Sequence, residues 1–273
     1  MGTTTDTATS ACAMAGSRCA VPSSAMRVIS TLEQAGHEAW CVGGFVRDSL
    51  LGRPISDVDI ATSALWEQTE SVCLAAGMRV HRTGTKHGTV TVVCDDDAFE
   101  VTTFRVDGVY SDARHPDSVQ FVRSLDEDLA RRDFTINAMA YHPMRGLRDP
   151  FNGFGDASRH TIRTVGDPSQ RFQEDALRIL RAARFSSQLG FSIELETYSA
   201  MMAGKSLLSK VSSERITAEL QKLILGKDVC RALLSTVDVL SAVLPELVSM
   251  KGFDQCTPYH SYDVLEHTAR AVA

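Results

Sequence analysis

The residues of this chain best placed to do chemistry lie close together, in the run CVGGFVRDSLLGRPISDVDI from Cys41 to Ile60. Gly43 and Gly44 let a backbone approach an anion closely, and the amides opening the helix predicted after them face a phosphate, supported by the helix dipole. Arg47 brings a guanidinium fork that matches phosphate oxygens two at a time. Asp57 and Asp59, two apart on a predicted strand, project from one face and offer hard oxygen ligands to cations such as Mg²⁺. Two ions held in this way would activate an attacking hydroxyl and steady a leaving pyrophosphate. An isolated Asp-x-Asp is more often a solvated turn or strand end, because aspartate favours turns. The order of glycine turn, arginine and paired carboxylates is what points to metal-dependent phosphate handling.

That order, Gly-Gly-x-Val-Arg-Asp and then Asp-x-Asp, resembles the opening motif of the nucleotidyltransferases of the DNA polymerase beta superfamily. Within it the chain resembles the bacterial-type (class II) CCA-adding tRNA nucleotidyltransferases and poly(A) polymerases. Gly44 and Arg47 are then expected at the triphosphate, and Asp57 and Asp59 at the metals. The run LARRDFTINAMAY, from Leu129 to Tyr141, matches a second motif of that family. The resemblance implies that Arg132 faces the triphosphate. It also implies that Asp133 accepts a hydrogen bond from a ribose hydroxyl, which separates RNA precursors from deoxynucleotides. A helix end with a surface ion pair is the plain alternative. Glu100, in FEVTTFR, is the third carboxylate that commonly completes the metal site in this superfamily; an exposed strand glutamate is the competing reading. Asp95, Asp96 and Asp97 read as a hairpin turn, since three adjacent side chains cannot all face one ion.

A third candidate lies in EDALRILRAAR, from Glu174 to Arg184. Ala176, Ile179, Leu180 and Ala183 form an apolar stripe at helical spacing, and Asp175, Arg178, Arg181 and Arg184 fall on the other side. Residues three apart on a helix are neighbours, so Asp175 and Arg178 are expected to act as one pair. The carboxylate accepts from an exocyclic amino group while the guanidinium donates to ring nitrogen and carbonyl acceptors. Such a pair reads the pairing edge of cytosine or adenine, which both set an amino donor beside a ring acceptor. The resemblance implies the same, a helix that serves as a protein template, with Arg181 and Arg184 nearer the phosphates or stacked on the base. An amphipathic helix with a solvated arginine face is the alternative.

Positioning these groups requires a defined set of elements. Ser23 or Ser24 is predicted to cap a helix carrying Met26, Ile29, Leu32 and Ala35 and ended by Gly36. Residues 38–42 read as the strand entering the glycine turn, 65–76 as a helix, and 78–81, 89–94 and 99–104 as strands. The polar segment from Arg105 to Pro116 reads as a mobile loop. It resembles the flexible loop of tRNA nucleotidyltransferases that add the terminal adenosine. DPFNGFGD, from Asp149 to Asp156, resembles a connector whose glycines form a hinge. SSERITAELQKLILG reads as a serine-capped helix stopped by Gly226. The expected fold is α+β, a polymerase-beta-like nucleotidyltransferase head with a mixed sheet and helices, followed by an all-helical neck and body. The expected segments are a disordered tail at 1–22, the head at 23–160, a neck binding base and RNA at 161–232, and a helical body at 233–273. The last segment contains TPYHSYDVLEHTARAVA, which resembles the opening of an HD-type phosphohydrolase domain. His260 and His267 stand seven apart there as candidate metal ligands or plain surface residues, and the family's tail domain is expected to be missing or incomplete.

Composition narrows the setting more than the chemistry. A chain of 273 residues with 44% hydrophobic content can bury a sizeable core. The seven cysteines are scattered with no close pair of the kind that builds a zinc site or disulfide framework, which suits reduced thiols in the cytoplasm. No apolar run approaches membrane-spanning length. The net charge of −6, from 28 basic and 34 acidic residues, is awkward for an RNA-binding protein and leaves the arginines between Arg171 and Arg184 as the local basic strip. Taken together, the resemblance implies template-independent addition of CMP and AMP, from CTP and ATP, to the 3′ end of tRNA, with Mg²⁺ as cofactor. A poly(A) polymerase or an A-adding enzyme would share these motifs, and a non-catalytic tRNA-binding module is the reading from a different class.

Overall fold

The computed structural model describes residues 19–55, 57–108, 119–256, 259 and 261–273. The chain divides into two compact units that meet in sequence at Ser158 and Arg159. The first unit runs α1 (Ser23–Gln34), β1 (Ala39–Val42), α2 (Gly44–Leu50), β2 (Asp59–Thr62), α3 (Trp66–Ala75), β3 (Arg79–Gly84), β4 (Thr89–Cys94) and β5 (Asp97–Thr103). It continues with β6 (Arg105–Asp107), β7 (Val119–Phe121), α4 (Leu125–Ala130), a 3₁₀ turn at Thr135–Asn137, β8 (Ala140–His142), β9 (Gly146–Arg148) and α5 (Gly153–Ser158).

A seven-stranded sheet, in the order β3-β4-β5-β2-β1-β8-β9, organises this unit. Its β2–β5 pair is parallel and its other pairs are antiparallel. The reason β1 reads AWCV is that it is buried on both faces. Ala39 and Cys41 pack into one core with Val28, Ile29 and Leu32 of α1 and Phe45, Val46 and Leu50 of α2. Trp40 and Val42 enter a second core, on the opposite face, with Leu125 and Leu129 of α4. At the far side, β4 alternates half-buried and buried residues, as a strand with one face to the core must. Asp95 and Asp96, both at positive φ, make the two-residue turn between β4 and β5, the hairpin the triple aspartate suggested.

Several local expectations are corrected. Pro22, and neither Ser23 nor Ser24, occupies the cap position of α1; the Ser24 hydroxyl instead donates to Asp97 at 2.6 Å. Cys19, assigned by composition to a tail, is buried in the first core; residues 1–18 lie outside the described residues. The start of the polar segment after Phe104 is a strand, β6, paired with β7, while its residues from 109 to 116 lie outside the described residues. The glycines of DPFNGFGD serve packing. A Cβ at Gly153 would sit 2.1 Å from the Thr135 carbonyl oxygen, so only glycine lets α5 approach the 3₁₀ turn so closely.

The second unit contains β10 (Thr161–Ile162), α6 (Pro168–Glu174), α7 (Leu177–Leu189), β11 (Ser192–Ile193) and α8 (Leu195–Gly204). A 3₁₀ segment at Lys205–Lys210 leads to α9 (Ser213–Ile224), α10 (Val229–Leu240), α11 (Glu246–Met250) and α12 (Val264–Val272). Its central helix, α7, packs against α9 and α10 and buries the expected stripe of Ile179, Leu180 and Ala183. Gly226 acts by close approach: a Cβ there would meet the Ser187 hydroxyl of α7 at 2.0 Å. Ser212 holds the cap position of α9 without a side-chain bond to the helix amides. His267 lies exposed on α12, which begins at Val264, and His260 lies outside the described residues. No helix among the described residues is long and apolar enough to cross a membrane.

Candidate active site

The first unit assembles its chemistry where β1, β2 and β5 lie side by side. Val42, the last residue of β1, pairs with Asp59, the first of β2, and Asp59 pairs in parallel with Glu100 of β5. Asp57, expected on the same strand, instead lies in the segment before it. Val58 and Ile60 are buried while Asp57 and Asp59 are exposed, so the two aspartates still share a side. The chain then turns at Gly43, whose φ of 70° and ψ of −131° fall where residues with a side chain are strained. A Cβ there would lie 3.1 Å from Arg132 Nη1 and 4.0 Å from Asp59 Oδ2, so turn, arginine and carboxylate border one small space.

The electrostatics at that space are frustrated. Asp59 keeps solvent access, yet desolvation by the protein packed around it is the main cause that pushes its pKa up. The charge of Glu100 adds to the rise, Arg132 opposes it, and Asp57 adds a further push. Among the described residues no three His, Cys, Asp or Glu side chains form a ready-made metal cage. The donors present suit Mg²⁺ all the same: they are hard carboxylate oxygens that repel one another, and Mg²⁺ is commonly held by one or two carboxylates together with phosphates and water. Nearby Cys41 is no nucleophile, because burial pushes its thiol up to about 12.

Behind this space stands a network the motifs did not reveal. Asp128 of α4, 1% exposed, accepts from Arg132 at 3.1 Å and from Arg131 at 2.7 Å and 3.0 Å. Arg132 Nε is buried and finds no hydrogen-bond partner among the described residues. The fork of Arg47, expected to clamp phosphate, is turned onto Asp48, with bonds of 3.0 Å and 2.7 Å. Its Nη1 donates to Asn137 Oδ1 at 2.6 Å. Asn137 Nδ2 in turn donates to Asp133 Oδ1 at 3.1 Å.

In the second unit the expected Asp175–Arg178 pair is redistributed. The helix is broken at Asp175, whose φ of −140° is extended, because its Oδ1 accepts from the Leu177 amide at 3.1 Å and starts a new helix. Its Oδ2 takes Arg215 of α9 at 3.0 Å. Arg178 donates to Glu174 at 2.7 Å, and Glu174 also holds Arg171 at 3.0 Å. Arg184 is buried, 2.7 Å from Glu219 and stacked 4.0 Å above the Phe185 ring, while Arg181 lies 5.5 Å from the same ring. The basic strip is thus largely neutralised by acids, and its arginine face is in good part buried.

Comparison with known proteins bears on both units. Residues 39–163 match the poly A polymerase head domain, and residues 190–251 match the model described as a probable RNA and SrmB-binding site of polymerase A. The CCA-adding enzyme of Geobacillus thermodenitrificans is 50% identical over 224 residues, 82% of this chain and 54% of that protein. The chain belongs to the CCA-adding enzyme and poly(A) polymerase family. A crystal structure of the Bacillus stearothermophilus CCA-adding enzyme in complex with CTP superposes with a TM-score of 0.72 at 47% identity, covering 80% of this chain and 51% of that one. A tRNA nucleotidyltransferase complexed with a primer tRNA and an incoming ATP analogue gives 0.65 at 29% identity, covering 83% and 63%. The chain spans about half the length of the Geobacillus thermodenitrificans and Bacillus stearothermophilus enzymes. The α+β, polymerase-beta-like fold expected from the motifs is that of these relatives. Asp128 and Arg215 were visible in sequence only as ordinary polar residues, while Asn137 and Glu174 fell inside the motifs without a role of their own, since the partners of all four are set by packing.

Proposed function

We propose that the chain catalyses template-independent addition of CMP and AMP, from CTP and ATP, to the 3′ end of tRNA in the cytoplasm. The observation that carries this reading is the strand register placing Asp59 against Glu100, beside the Gly43 turn and Arg132, in a member of this family. Its relatives solved with CTP and with tRNA and an ATP analogue support the choice of substrates. The first unit serves as the head, and the second as the neck and the start of the body.

In this mechanism the terminal hydroxyl of the RNA attacks the α-phosphorus, and the bond to pyrophosphate breaks on the opposite side. Asp57 and Asp59, with Glu100 beside them, would hold Mg²⁺, which would supply Lewis acidity toward the hydroxyl and the charge on the phosphates. Arg132 neutralises the triphosphate, and the Gly43–Gly44 backbone lies against it, with Arg47 bracing the turn from behind. Asp133 accepts from the ribose hydroxyl. Asp175 and Arg178 read the base edge, a task for which each exchanges a partner it holds here, Arg215 and Glu174 respectively. Catalysis is mainly in-line positioning and charge neutralisation.

The test supplies Mg²⁺, CTP and ATP to three tRNAs, ending in the discriminator base, in C and in CC, and sequences the products. Completion of CCA on all three is expected. Extension of the last alone would mark an A-adding enzyme, long adenosine tails a poly(A) polymerase, and binding without extension a silent RNA-binding module.

A further inference from the structure

We propose that the sheet face running outward from Glu100 across β4 and β3 seats the 3′-terminal nucleotide of the acceptor RNA, with Thr91 at its ribose and His81 at the phosphate on its 5′ side. This inference rests on the nucleotidyltransferase reading above and adds the place of the attacking strand. Residues directly paired on neighbouring strands point to one face of a sheet. The register pairs His81 with Thr91, Thr91 with Glu100, and Glu100 with Asp59, which sets the four side chains in one line across β3, β4, β5 and β2. Burial agrees with that alternation. Val80, Val92 and Val101 turn to the first core, whereas Thr91 is half-buried and Glu100 and His81 are exposed. Arg82, the next residue of β3, points the other way, onto Glu70 and the Trp66 ring of α3.

In-line displacement fixes the direction of approach. The Gly43 turn and Arg132, which take the triphosphate in this reading, border Asp59 from the β1 side. The attacking hydroxyl must reach the phosphorus opposite the departing pyrophosphate, and on that side lie Glu100 and then β4 and β3. Strand spacing sets Thr91 about 10 Å and His81 about 14 Å from Asp59 along the line, which suits a terminal ribose and the phosphate behind it. The groups there match an RNA end. A register shift beyond His81 brings the Thr83 hydroxyl to 2.9 Å from that of Thr91. Two hydroxyls joined by one bond keep a proton and several lone pairs to offer, which suits the 2′-hydroxyl beside the nucleophile, itself both donor and acceptor. The His81 side chain makes no hydrogen bond or ion pair among the described residues, and an imidazole carries an N–H for a phosphate oxygen in either tautomer. Thr89 and Thr102 form a second hydroxyl pair at 2.9 Å, but their row lines up with Ala61, two residues further along β2 from Asp59, and so supplies an internal control.

The experiment uses the full chain and follows single-turnover extension, with ATP and Mg²⁺, of a tRNA ending in CC whose last sugar is either ribose or 2′-deoxyribose. Wild type, Thr91→Val, Thr89→Val and His81→Ala are compared, with Tm and calorimetric ATP affinity measured for each. Wild type is expected to extend the deoxy end about tenfold more slowly, the worth of one good hydrogen bond. Thr91→Val should lose about the same factor on the ribose end and nothing more on the deoxy end, because the contact is already gone. Thr89→Val, which removes a hydroxyl of the other pair, should keep the wild-type discrimination. His81→Ala should raise the half-saturating tRNA concentration roughly three- to tenfold with ATP affinity unchanged. A wild type indifferent to the terminal 2′-hydroxyl, a deoxy penalty that persists in folded Thr91→Val, an equal loss of discrimination in Thr89→Val, or an unaltered tRNA dependence in His81→Ala overturns the inference. A wild type that extends neither RNA end would instead sink the nucleotidyltransferase reading.

Discussion

Replacing Asp128 by asparagine should destabilise the first unit and weaken triphosphate binding together. The carboxylate is 1% exposed and takes guanidinium bonds from Arg131 at 2.7 Å and 3.0 Å and from Arg132 at 3.1 Å. Asparagine keeps the shape but removes the charge, leaving two cations facing a neutral amide. Breaking a buried ion pair from one side costs about 3–5 kcal/mol, and the arginines, at 16% and 19% side-chain exposure, recover some hydration, which favours the lower figure. A loss of about 3 kcal/mol lowers Tm by roughly 6–12 °C for a unit of this size. The pH dependence carries the sign of the charge. Burial is the largest single influence on Asp128 and raises its pKa, but Arg132 and Arg131 outweigh it and hold the group below the usual carboxylate range. The folded state thus binds this proton less tightly than the unfolded state, so the stabilisation is complete above a pH of about 3.9 and is lost as the pH falls through the folded value. Denaturant melts of wild type and Asp128→Asn from neutral to acid pH test this, alongside KM for CTP. A stability gap below about 1 kcal/mol at neutral pH, or one that fails to close in acid, would refute the argument.

Other perturbations have equally definite outcomes. Asp59→Asn should raise thermal stability, because burial first and then Glu100 raise the Asp59 pKa, so the wild type loses stability as pH rises from the ordinary carboxylate value through the folded one. The advantage of the variant in Tm should grow across that window and then level off; a variant less stable than wild type at neutral pH would contradict it. Gly43→Ala combines a φ of 70° with a Cβ 3.1 Å from Arg132 Nη1, and melts should show a loss of about 1–3 kcal/mol with a larger drop in nucleotide affinity. Gly153→Ala drives a Cβ to 2.1 Å from the Thr135 carbonyl and should cost about 1–3 kcal/mol by overpacking, whereas a hinge glycine would tolerate alanine.

Much of the site was legible in the chain because its signals are local. A glycine pair between a strand and a helix, an aspartate pair at alternate positions, and apolar periodicity each depend on residues a few places apart. The structure sets those aspartates at the mouth of β2 and pairs Asp59 with Glu100, although 41 residues separate them in sequence. What stayed hidden is the choice among possible partners. Arg47 and Asn137 are 90 positions apart, and Asp175 and Arg215 are 40 apart, so no spacing rule connects them. The continuous helix read through Glu174 to Arg184 failed for a local reason as well. Aspartate competes for backbone amides, and Asp175 takes the Leu177 amide and ends one helix as it starts the next. Gly226 does follow the end of α9, as turn chemistry in the sequence indicates, but its close approach to Ser187, like that of Gly153 to Thr135, is packing that no local pattern shows.

The central claim is that the acidic side chains at the start of β2, with Glu100 beside them in β5, serve transfer of a nucleotide to RNA. Single-turnover extension of a tRNA ending in CC, with ATP and Mg²⁺, measured for wild type and for the double replacement of Asp57 and Asp59 by alanine, addresses it most directly. The account expects Mg²⁺-dependent addition of one adenosine by wild type, and a fall of at least about a thousandfold in the variant with tRNA affinity retained. Extension at a comparable rate by the variant would contradict it.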